Sequence, residues 1–217
     1  MPQNVSVNRN DKNYGICFSY ANLPKKDVRM NFRSSMKNLF LIGGAMGVGK
    51  TSVCRILKQK LNNTVFLDGD WCWDSDPFQV TEETKSMVMD NICYLLNNFL
   101  RCSAYDNVIF CWVMHEQNII DQILSKIDTQ NCNVQKFSLI CDEETLKNRL
   151  QLDIKNGIRS TGVIERSLAR LKYYQNLDTV KINTNNKNPY EVAEEILKNL
   201  EFMQFPDIFS DGPNNIR

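Results

Sequence analysis

The 217-residue chain contains one histidine, His115, and its eight cysteines never form a C-x-x-C pair. A structural zinc site needs four nitrogen or sulfur ligands at short, characteristic spacing, so this composition disfavours one. The cysteines (17, 54, 72, 93, 102, 111, 132 and 141) are spread evenly, and several fall within apolar periodic stretches. Cysteine there behaves as a small hydrophobe, and the pattern reads as reduced, buried thiols in a cytosolic protein. No apolar run approaches the roughly 20 residues that span a bilayer, so no membrane is expected. Lysine and arginine total 26 against 25 acidic residues, a formal net charge of +1. Without a basic excess, nucleic acid is not expected as the main partner.

What remains is 42% hydrophobic and 24% charged, enough for a core and a soluble surface. Residues 1–37 are rich in Asn, Arg and Lys and lack sustained periodicity. They read as an N-terminal tail, within which Tyr14–Phe18 is a candidate short strand or docking segment. An alternative is that translation begins at Met30 or Met36. Residues 38–204 form the expected domain, and 205–217 a C-terminal tail.

Strand and helix signals alternate through the domain. Strands are expected at Leu39–Ile42, Thr64–Leu67, Asn107–Val113, Val134–Ile140 and Thr179–Ile182. Helices are expected at Thr51–Leu61, from Thr81 to Arg101, at Glu116–Ile127, after Asp142, on to Tyr174 past a polar stretch, and from Asn188 to about Phe202. Asp142 and Asn188 are N-cap residues, and Pro189 and Glu191 suit the first turn after Asn188. The alternation makes the fold class α/β, three layers with about five parallel strands covered by helices on both faces. Together with the Gly44–Thr51 motif it reads as a P-loop NTPase fold with a small helical lid at about 154–172.

Gly44-Ala45-Met46-Gly47-Val48-Gly49-Lys50-Thr51 matches G-x-x-x-x-G-K-[ST] without a mismatch. The glycines let successive N–H groups turn inward as an anion nest, completed by the positive end of the following helix. Lys50 reaches the β- and γ-phosphate oxygens, Thr51 supplies a hydroxyl to Mg²⁺, and Ser52 completes the binding set. The loop follows an apolar strand and opens an amphipathic helix, the context the motif requires. ATP and Mg²⁺ are the expected cofactors. The chain lacks N-K-x-D, a third strand ending in Asp or Asp-Glu, and L-S-G-G-Q. Those absences disfavour a guanine switch, a motor and a transporter subunit.

From Leu39 to Leu200 the sequence resembles the P-loop small-molecule kinases, including gluconate, shikimate and adenylylsulfate kinases and antibiotic phosphotransferases, and more broadly AAA-type ATP-binding proteins. The resemblance rests on the phosphate loop, the acidic turn Asp68-Gly69-Asp70 and a late arginine-bearing segment. It implies Asp70 as the base toward the acceptor hydroxyl, supported by Asp68. It also implies Arg149 against the adenine, an adenine-contacting loop at Asn183–Lys187, and at least one of Arg159, Arg166 and Arg170 closing over ATP. Trp71 and Trp73 either wall the acceptor site or pack under the long helix. His115 is more often a satisfied surface residue than a catalyst, and Glu116 reads as a helix-start residue. The implied activity is ATP-dependent phosphorylation of a small hydroxyl-bearing acceptor by a monomer or weak homodimer. Two rivals stay open: a nucleoside monophosphate kinase, and an ATP-sensing module with little turnover.

Overall fold

The computed structural model describes residues 36–160 and 162–204, with side-chain environments through residue 200. The segment Tyr14–Phe18 and the 205–217 tail lie outside the described residues. Five strands, β1 (Lys37–Gly44), β2 (Thr64–Asp68), β3 (Asn107–Trp112), β4 (Cys132–Ile140) and β5 (Val180–Asn183), form one parallel sheet. Their order is β2-β3-β1-β4-β5. Each expected strand is present, with ends that differ by no more than two residues from those expected. β1 starts at Lys37, inside the stretch read as tail.

The sheet is covered on both faces because its central strands carry apolar side chains at successive positions, which a pleat sends to opposite sides. Leu39, Leu41, Val108 and Phe110 face a core with α2 (Glu82–Arg101), α3 (Gln117–Lys126), α4 (Glu143–Lys155) and α5 (Val163–Leu171). Phe40, Ile42, Ile109, Cys111, Phe137 and Leu139 face a second core with α1 (Lys50–Lys60) and α6 (Pro189–Gln204). The helix toward Tyr174 ends as α5 at Leu171 and continues as a 3₁₀ turn, Lys172–Asn176.

Capping fixes where the helices begin. Thr81 and Thr84 form a reciprocal cap on α2. Asp142 accepts from the Thr145 N–H at 2.6 Å, and the Asn188 side chain accepts from the amides of Tyr190 and Glu191. At the amino end of the sheet, a buried amide chain crosses three strands. Asn133 donates to Asn38, Asn38 to Asn107 (2.9 Å), and Asn107 to the Asn62 carbonyl (2.7 Å). The strand order reverses at β1, so the carboxyl ends of β1, β2 and β3 open onto one crevice, the usual ligand position in such sheets. Among the described residues no helix is long and apolar enough to cross a membrane.

Candidate active site

The phosphate loop leaves β1 at Gly44 and enters α1 at Lys50. Gly47 has φ 85°, and a Cβ there would stand 2.6 Å from the Leu150 Cδ2 on α4. The loop therefore needs glycine both for its backbone and for its seat against α4. Gly49, φ 107°, caps α1, whose first turn carries no acidic residue, leaving the helix dipole free to attract an anion. Lys50 is 9% exposed, and its ammonium donates to the carbonyls of Gly44 (2.9 Å) and Ala45 (3.1 Å). Burial pulls its pKa below the usual lysine range, against the opposing pull of Asp70 and Asp68.

The acidic turn follows β2. The Thr51 hydroxyl donates to Asp68 Oδ2 at 2.6 Å, and the Asp70 N–H donates to Asp68 Oδ1 at 3.2 Å. Asp68 is 5% exposed and so belongs to the floor of the site. Asp70 reaches outward and is exposed as a residue, yet protein atoms crowd its carboxyl group. That crowding, followed by the charge of Asp68, raises its pKa above the usual aspartate value. Lys50, a hydrogen bond with the Trp112 side chain and Arg159 offset part of the rise. Gly69 makes the arrangement possible: a Cβ there would meet the Trp112 ring at 2.6 Å.

Two cavities flank Asp70. The first, about 350 Å³, is lined by Met46 through Val53, Asp70, Arg149, Asp153, Arg159, Thr184 and Lys187 among others. Arg149 donates to the Val48 carbonyl (3.2 Å), the Thr184 hydroxyl (2.9 Å) and the Thr184 carbonyl (2.7 Å). It thereby ties the phosphate loop to the segment between β5 and α6. Arg159 pairs with Asp153 at 2.9 Å. The second cavity, about 740 Å³, contains Asp70, Trp73, Phe78, Trp112, His115, Arg166 and Arg170 among its walls. Met46, Asp70 and Val113 line both.

Of the three arginines expected over ATP, Arg159 thus lines the loop's cavity, while Arg166 and Arg170 line the other. Trp73 lines the second cavity with its ring edge-on to Phe78 (4.9 Å between centroids) and Trp112 (6.2 Å). Trp71 is 53% exposed and packs on Phe66 instead. His115 lies in the second cavity's wall, its Nε2 3.3 Å from Glu116, with its pKa lowered by burial and by Arg170. Glu116 stands at the N-cap position of α3 without a side-chain capping bond. Phe78, Lys85 and Lys126 escaped the sequence reading, because nothing in a loop proline-phenylalanine or a helical lysine signals a shared cavity.

An Mg²⁺ ion takes oxygen ligands, usually few from protein and the rest from water and phosphate. The Thr51 hydroxyl and Asp68 carboxylate, 2.6 Å apart beside the loop, fit such an ion. No cluster of three or more His, Cys, Asp or Glu residues able to hold a metal occurs among the described residues.

The doubly covered parallel sheet and the phosphate loop at its carboxyl edge define the class: a P-loop protein. More narrowly, the chain belongs to the AAA domain family (AAA_18), which it matches over residues 41–170, more than half its length. The shikimate kinase of Dehalococcoides mccartyi is 26% identical over 174 residues, spanning 74% of this chain and 92% of that enzyme. A gluconokinase from Sinorhizobium meliloti 1021 shares the fold with a TM-score of 0.60 at 15% identity, over 82% of this chain and all of that one. The tunicamycin resistance protein of Deinococcus radiodurans does so at 0.57 and 20% identity, over 76% and 95%.

Proposed function

We propose that the protein transfers the γ-phosphoryl group of ATP to a hydroxyl of a small molecule bound in the larger cavity. The observation that carries this reading is Asp70, a carboxylate of raised pKa standing where the two cavities meet. A carboxylate whose pKa is raised accepts a proton better than an ordinary aspartate. In the reaction the acceptor oxygen attacks phosphorus, the bond to the β–γ bridging oxygen breaks, ADP departs, and the hydroxyl proton passes to Asp70. The loop amides and Lys50 hold the phosphates, and Arg159 meets the charge that develops on the transferred group. Thr51 and Asp68 are the groups that would hold Mg²⁺, which when bound supplies charge neutralisation to the phosphates. Arg149 fixes the wall of the nucleotide cleft through Val48 and Thr184.

Catalysis here is mostly positioning and electrostatics. The same two carboxylates argue against the nucleoside monophosphate alternative: Asp68 and Asp70 repel an acceptor whose attacking atom is itself an anionic phosphate oxygen.

The test is ADP release from Mg·ATP, screened against hydroxyl-bearing metabolites and antibiotics. A kinase shows slow basal release that a particular acceptor stimulates. Stimulation by nucleoside monophosphates alone returns the alternative, and tight ATP binding that no acceptor stimulates points to the sensing module. Asp70→Asn is expected to leave ATP affinity nearly unchanged and to lower stimulated transfer by about 10²–10⁴-fold. Transfer that survives the change assigns the base to another group, Asp68 first.

A further inference from the structure

Resting on the kinase reading above, we infer that the acceptor is an amphipathic anion of drug-like size: an aromatic or comparably apolar body bearing both a hydroxyl and an acidic group. Three observations carry this.

The cavity measures about 740 Å³, twice the nucleotide cleft and within the range that encloses drug-sized ligands. A hydrated sugar acid would leave most of it to water.

Its wall offers indole and phenyl surface. Trp73, Phe78 and Trp112 form a chain of edge-to-face rings lining it. Phe78 and Val80, both cavity-lining, are 57% and 56% exposed. Ring faces of this kind gain by covering an apolar ligand surface.

Third, the cavity holds cations without carboxylate partners. Its lysines are engaged: Lys85 pairs with Glu82 and Lys126 with Asp90. Arg166 and Arg170, one turn apart on α5 and lining the same space, take part in no ion pair among the described residues; Arg166 donates only to the Gly162 carbonyl at 3.3 Å. Two guanidinium groups that line one space suit a carboxylate, sulfonate or phosphate by forked hydrogen bonds. With Asp70 repelling anions at one part of the cavity and α5 attracting them at another, the acidic group is drawn to the arginines while the hydroxyl is left for the base.

A matched pair of dyes tests the assignment on the full chain without turnover. Anilinonaphthalene sulfonate carries an aromatic body and an anion, and N-phenyl-1-naphthylamine is the same body without the charge. The expected result is saturable binding of both, with the sulfonate preferred at least about tenfold, as a charge-assisted pair contributes. Arg166→Gln combined with Arg170→Gln should erase that preference, and Trp73→Ala should weaken both dyes. Calorimetry with Mg·ATP on the same variants checks the fold, since none of these residues lines the nucleotide cleft. Equal binding of the two dyes, or a preference that survives the double substitution, overturns the inference. So does ADP release stimulated by gluconate or shikimate that neither dye inhibits. The kinase reading fails separately, if the wild-type protein shows no heat of association with ATP.

Discussion

Asp70 and Asp68 sit two residues apart and experience different surroundings, which separates their roles. Asp68 is buried and accepts from Thr51, while Asp70 faces both cavities under the repulsion of Asp68. The sign of the pH dependence follows. In the proposed mechanism transfer requires Asp70 ionised, so activity is expected to rise with pH through a pKa that lies above the ordinary 3.8. Asp68→Asn removes one of the charges that raise it. The acid limb of the kcat/KM profile is therefore expected to move to lower pH in that variant, even as the rate falls. A limb that stays in place assigns it to another group. Lys50→Ala removes the buried ammonium proposed to hold the phosphates, and a loss of about 10²–10³ in kcat is expected, as for deletion of a preorganised charge donor. At this scale the sequence was legible wherever a motif names its chemistry. The loop glycines, Lys50 and Thr51 follow from spacing alone. The division of the arginines does not: Arg159, Arg166 and Arg170 look alike in one dimension, and only the fold places the first in the wall of the smaller cavity and the others in the wall of the larger.

Among the elements, strand periods and caps were the readable features, because both are local. Asp142 and Asn188 announce α4 and α6 through hydrogen bonds that span three residues, and the structure contains them. The buried amide chain Asn133–Asn38–Asn107 was not readable, since its members are separated by up to 95 positions and meet only through sheet register. Its energetic weight can be tested. Asn107→Leu strands the buried Nδ2 of Asn38 and removes the bond to the Asn62 carbonyl, so a destabilisation of about 1–3 kcal/mol is expected by urea unfolding. Asn38 lies at the amino end of β1 and the phosphate loop at its carboxyl end. The same variant should therefore keep its ATP affinity under conditions where it is folded. A loss of affinity in proportion to the loss of stability would mean that the two ends of β1 are coupled.

For the whole molecule, the nucleotide cleft is built from segments far apart in the chain: the phosphate loop, the acidic turn, α4 and the segment between β5 and α6. Arg149 joins three of them, reaching Val48 and Thr184 from α4. A ligand bound across these segments favours the folded state by mass action, about 2.7 kcal/mol at a hundredfold excess over Kd. For a domain of this size that corresponds to a rise of roughly 5–10 °C in Tm. Mg·ATP is expected to produce such a shift in differential scanning fluorimetry. Arg149→Leu unties the loop from Thr184, so the nucleotide must then order that wall itself. A smaller shift at the same ATP concentration is the expected result, with the ligand-free Tm falling less than the ATP-bound one. Equal falls in both would make Arg149 a brace of the fold alone, and its place in the nucleotide wall would carry no binding role.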